Sequence, residues 1–183
     1  MLKIIKELYV WFYALNLSKA VGLILAVMLL WTALCLLMRN HNNCVWKWVC
    51  RLLLVASIFV IASPIVLRIH CDRQLILQPL YFLKRAQQNT EAYRSALMNV
   101  FLFVPIGLIL PNVLPDRLTA SKRVVMTVVL AASFSVLIET IQFLFSLGVS
   151  ETDDVLCNTL GGAIAATHMW MCSMGQRLLS IKE

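Results

Sequence analysis

"IETIQFLFSLGVSETDDVLCNTLGG", residues 138–162, decides the fold. Glu139 and Gln142 stand near the end of one apolar run. Glu151, Asp153 and Asp154 crowd a short link. Asn158 and the pair Gly161-Gly162 then open a second apolar run. The runs, 124–147 and 155–174, have the length of about 20 residues that a helix needs to cross a bilayer's hydrocarbon. A carboxylate therefore lies inside a membrane span, and three more guard the mouth of the next.

The rest of the chain agrees with a membrane setting. Of 183 residues, 61% are hydrophobic and only 14% charged, and the mean hydropathy is +0.83. A soluble domain of this size needs more polar surface. The net charge of +7 is divided among short clusters between apolar runs, the pattern of basic residues flanking spans. It forms no continuous basic face, which excludes a nucleic-acid partner and leaves membrane lipids as the first partner.

Further spans are expected at 20–38, 52–67 and 96–114, making about five in an all-α, polytopic transmembrane bundle. Residues 1–19, with Lys3, Lys6 and Lys19 bracketing Tyr9, Trp11, Phe12 and Tyr13, predict an interfacial or span-extending helix. No small-x-small cleavage site follows them. The organisation expected is thus 1–19, two N-terminal spans over 20–67, a three-span domain over 68–174, and a short tail, 175–183. Residues 68–95 alternate Arg68, Arg73, Lys84, Arg85 and Arg94 with apolar pieces, and Pro79 interrupts any long helix. A surface or re-entrant segment is expected there.

Arg117, Lys122 and Arg123 lie in the link before the fourth span, and Arg177 and Lys182 in the tail. The link 148–154 has no basic residue, so the positive-inside rule puts it outside. Over the whole chain the basic residues divide evenly, eight to each side, so only the C-terminal half sets an orientation and that of the N-terminus is left open. Measured from the outer edge at 1.5 Å per residue, Asn99 is about 5 Å deep, Asn158 about 6 Å and Glu139 about 12 Å. Glu139 and Gln142 are i, i+3, and Asp154 and Asn158 are i, i+4, so each pair shares a helix face.

Two roles are open to these groups. Asn99, Gln142 and Asn158 suit interhelical hydrogen bonding, Gly161 and Gly162 suit close helix approach, and Pro105 and Gly107 suit a kink. Glu139 argues for function, because burying an ionisable group in lipid costs several kcal/mol unless it is paired or hydrated. Asp153 and Asp154 suit a helix start. As a group the acids give the mouth a negative field that draws cations or ammonium groups. The six cysteines include no CxxC pair, so no zinc framework is expected, and no cofactor. His41, His70 and His168 lie outside the cluster.

"NVFLFVPIGLIL" (99–110) and "IETIQFLFSLGVSETDDVLCNTLGG" (138–162) together resemble the VanZ-like membrane proteins, and "RQLILQPLYF" (73–82) is similar to a weaker element of that family. The family pattern falls on Asn99, Phe103, Pro105 and Gly107, on Glu139 and Gln142, and on Asp154, Val155, Asn158, Thr159 and Gly161. Glu151 stands where aspartate is usual, and no arginine occurs near Val149. The founding member is associated with glycopeptide resistance, especially to teicoplanin. The resemblance implies a cytoplasmic-membrane protein that affects glycopeptide susceptibility. The expected site is an outward-facing polar pocket of Asn99, Glu139, Gln142, Asp154 and Asn158, with Phe103, Pro105, Gly107, Gly161 and Gly162 shaping it. Its ligand would be an amphiphile, either a lipoglycopeptide or a lipid-linked envelope precursor. The alternatives are a membrane-embedded enzyme, with Glu139 as acid or base and a metal at Asp153 and Asp154, and a structural subunit of a membrane complex. No histidine, serine or cysteine nucleophile is evident in the cluster.

Overall fold

The apolar runs fold as helices in the computed structural model, which describes residues 17–38, 43–66, 73–88 and 90–180. In chain order these form α1 (Leu17–Met38), α2 (Asn43–Val66), β1 (Gln74–Ile76), α3 (Tyr81–Gln88), α4 (Thr90–Val113), α5 (Ala120–Leu144), β2 (Val149–Glu151) and α6 (Thr152–Ser180). The chain is thus an all-α bundle with two short strands. The helix expected over 1–19 lies outside the described residues up to residue 16, as do Arg68, His41, His70 and Cys71.

Four helices are long and apolar enough to cross a membrane, over Val21–Met38, Cys44–Ser63, Glu91–Val113 and Ala120–Leu144. The fifth expected span forms a helix, α6, but is not among those four. Asn158, Thr159, Gly161, Gly162 and His168, none of them exposed, dilute its apolar character. These residues are tolerated because α6 packs chiefly on α4 and α5, so much of its surface meets protein instead of lipid. α4 starts at Thr90, a turn and a half before the expected 96, and so carries Glu91 in its first turn.

Polarity across the bundle runs opposite to that of a soluble core. Val125, Val129, Val136, Leu137 and Leu144 of α5 are exposed, while Thr127, Ser135, Glu139 and Gln142 of the same helix are buried. An outward apolar face suits lipid, and the inward polar stripe must find partners within the protein.

Small residues bring α4 and α6 together. A Cβ on Gly161 would lie 2.0 Å from the Val100 carbonyl oxygen, and one on Gly107 would lie 2.3 Å from that of Gly162. Phe103, 1% exposed, anchors the adjoining core with Ile61, Ile106, Leu110, Ala131 and Ile138, its ring 5.9 Å from that of Phe134. A second cluster joins α1 to the bundle through Met28, Val104, Leu108 and Ala165, and Trp31 Nε1 donates to the Leu108 carbonyl at 3.1 Å.

The strands were not legible in the sequence. β1 and β2 pair in parallel, Gln74 with Val149, Leu75 with Ser150 and Ile76 with Glu151. Non-helical backbone at the edge of a bilayer needs hydrogen-bond partners. The link after α5 turns sharply through Ser146 (φ 52°) and Gly148 (φ 146°), and the segment expected to be re-entrant supplies it with a strand.

Candidate functional site

The link and its strand partner bring the acids together with backbone donors. Glu139, 7% exposed, accepts the Glu151 N–H on Oε2 at 3.0 Å. Gln142 faces the same carboxylate. With its amide assigned so as to satisfy both groups, its nitrogen lies 3.3 and 3.2 Å from Oε1 and Oε2. Both carboxylate oxygens thus find donors, one from the backbone and one from a side-chain amide. The backbone carbonyl of Gln142 also accepts from Leu147 N at 2.9 Å, so one turn of α5 holds both ends of the link.

Asn158 meets a different residue of α5. Its Nδ2 donates to Ser135 Oγ at 2.8 Å in a fully buried bond, while its Oδ1 has no partner within the protein. Ser135 is fully buried and stands i−4 from Glu139, on the same helix face. It is the serine that the sequence pattern did not single out. The signal was present as Thr127, Ala131, Ser135 and Glu139, four apart and all buried.

The three acids of the link have separate tasks. Asp153, 2% exposed, accepts Leu80 N at 2.5 Å on one oxygen and Phe82 N at 2.7 Å on the other. It thus caps the start of α3 from a distant helix and stabilises Leu80 in a left-handed conformation (φ 59°), which is uncommon for a branched side chain. Glu151 forms an ion pair with Arg85, whose guanidinium lies 5.2 Å from the Tyr81 ring centre. Asp154 lies in the first turn of α6, where a carboxylate suits the helix dipole, and it too has a partner. The bare negative mouth expected from the sequence is not what folds, since residues 73–88 bring cations to it. Among the described residues, no group of three histidines, cysteines or acids is placed to hold a metal.

A cleft of about 200 Å³ opens beside Glu139. Its walls are Leu75, Leu77, Val136, Thr140, Phe143 and Val155, with Ser150, Glu151 and Thr152 at one side. Asn99, Gln142, Asp154 and Asn158 do not line it. Gln142 is turned to Glu139, and Asn158 to Ser135. Asn99 is on α4, next to the Val100 carbonyl that Gly161 approaches, and its Nδ2 is shut from solvent with no hydrogen-bond partner in the protein. Arg73 does not line the cleft but lies against Phe143, which does. It donates to the Leu144 carbonyl at 2.9 Å and stacks 5.1 Å from the ring centre of Phe143.

A second polar group lies on α1 and α6. Thr32 Oγ1 is 2.8 Å from His168 Nε2, and Cys172 Sγ is 3.6 Å from the same nitrogen. Thr32 and Cys172 also line a cavity of about 170 Å³ with Cys35, Trp46, Asn112, Met169 and Ser173.

Comparison with known proteins accounts for most of the chain. The family model described as VanZ/LLP1 matches residues 48–173. Protein VanZ of Enterococcus faecium is 36% identical over 73 residues, 40% of this chain. The match spans 42% of the length of that relative. No solved structure matches the chain significantly.

Proposed function

Because the chain belongs to the VanZ/LLP1 family and folds as a bundle with four helices long and apolar enough to cross a membrane, we propose that it is a cytoplasmic-membrane protein that binds an amphiphile beside Glu139 and so alters susceptibility to glycopeptides. The observation that carries the proposal is Glu139 itself: a buried carboxylate that borders a cleft with apolar walls. A ligand with both an apolar chain and hydrogen-bonding groups matches that combination. The chain packs on Leu75, Leu77, Val136, Phe143 and Val155, and polar groups reach Glu139, Ser150 and Thr152. The acceptable ligands are a lipoglycopeptide or a lipid-linked envelope precursor. Gln142, Ser135 and Asn158 hold the carboxylate-bearing face in register, and Asn99 and Asp154 belong to the surrounding frame.

A thermal-shift titration of the purified protein tests the ligand class. Teicoplanin should raise the unfolding temperature, whereas vancomycin, which lacks the acyl chain, should raise it much less. Equal shifts with both, or none with either teicoplanin or a lipid-linked precursor, would remove the amphiphile.

A further inference from the structure

The ledge formed by β1, the turn at 77–80 and α3 is apolar where it faces outward. Leu75, Leu77, Leu80 and Leu83 are 50%, 70%, 54% and 49% exposed. Leu75 and Leu77 also line a broad groove with Gln78, Pro79 and Tyr81. α3, YFLKRAQQ, is amphipathic and basic. Apolar residues beside exposed cations mark an element that lies in the headgroup layer. The ledge joins the rim of the cleft, because Leu75 and Leu77 also form its wall.

The acids at that rim are engaged within the protein, while two basic side chains of the ledge stay exposed. Glu151 is covered by Arg85, Asp153 accepts two backbone N–H groups, and Asp154 is not free. Arg73 and Lys84 are exposed. Arg73 is fixed over Phe143, a cleft residue, with one N–H engaged by Leu144 O. A guanidinium has five N–H donors in a planar fork, so others remain for an oxyanion at the rim, a geometry that suits phosphate.

Resting on the cleft as an amphiphile seat, we infer that its occupant is a lipid with an anionic phosphate headgroup, the acyl chain between Leu75, Val136, Phe143 and Val155 and the phosphate on Arg73, with Lys84 adding charge along the ledge.

The test is lipid retention by the full chain. Protein exchanged into dodecyl maltoside micelles with equal phosphatidylglycerol and phosphatidylcholine is desalted, and the bound lipid is quantified by mass spectrometry. Wild type should retain phosphatidylglycerol in excess of the bulk ratio. Arg73→Gln and Lys84→Gln should each reduce that excess by about fivefold, the effect of one basic side chain near a headgroup layer. Arg73→Lys should restore part of it. If Arg73→Gln does not remain monodisperse, Lys84→Gln decides, since it removes no contact of the bundle. A wild type that retains lipid at the bulk ratio, or a folded Arg73→Gln with undiminished excess, overturns the anionic class. Either result leaves the teicoplanin titration to be judged on its own.

Discussion

Glu139 is a structural acceptor inside an apolar helix before any ligand is considered. It accepts from Glu151 N and from the Gln142 amide, so its removal orphans two donors. Glu139→Leu should lower stability by about 1–3 kcal/mol for each buried group left unpaired, seen as a lower melting temperature in detergent. Glu139→Gln should melt close to wild type. Its amide oxygen can still accept from Glu151 N, and Gln142 can rotate to present its own oxygen to the new NH₂. Glu139, Gln142 and Asn158 were legible in the sequence as polar residues in apolar runs. Their partners were not. Asn158 bonds Ser135 rather than bordering the Glu139 cleft, because serine reads as neutral in an apolar helix and only the fold shows that it faces inward.

At the scale of elements, two devices lock the link against the bundle. One is the approach of α4 and α6. Gly161→Ala would push a Cβ to 2.0 Å from a backbone oxygen, so it should cost several kcal/mol, at or above the upper range for overpacking. Gly22→Ala meets nothing within 4 Å and replaces a helix-interior glycine, so it should stabilise by about 0.5–1 kcal/mol. Melting of the two variants side by side checks both signs. The second device is Asp153, which holds the left-handed Leu80 and the first turn of α3. Asp153→Ala should cost about 1 kcal/mol, the usual worth of a helix cap, and should speed hydrogen exchange over 80–88 while leaving α5 protected. The Gly-Gly pair was readable from the sequence as a contact of small residues. The β1–β2 pairing was not, because three-residue strands carry no periodicity and their partners are more than seventy residues apart.

On the scale of the whole molecule, the basic links organise the opposite end of the bundle. Asp116, in the link between α4 and α5, pairs with Lys47 and Arg123. The hydrogen bond from Lys47 leads in holding its carboxyl below the ordinary range. Because its folded pKa is lowered, its contribution is present above the ordinary carboxylate range and is lost as pH falls through the lowered pKa. The pair is exposed, so the effect is small. This end should face the cytoplasm and the β1–β2 ledge the outside. Ser150 is buried, so a cysteine there would react poorly on either side. Gln78 and Arg117 are exposed. In a chain without native thiols, Gln78→Cys should react with an impermeant maleimide on intact cells, and Arg117→Cys only after lysis. The reverse pattern would invert the molecule. The order of the five long helices was visible in hydropathy, whereas α3 within 68–95 was not. The inward placement of Asn158 on α6 was expected from the sequence, but its partner on α5, Ser135, was not.

The proposal as a whole stands on the Glu139 carboxylate facing an amphiphile. Its most direct test is the teicoplanin susceptibility of cells expressing wild type or Glu139→Gln at equal membrane levels. Wild type should raise the inhibitory concentration, and Glu139→Gln, folded and abundant, should return it to that of cells without the protein. Full protection by Glu139→Gln would contradict the account, for the carboxylate would then be a structural acceptor that an amide replaces.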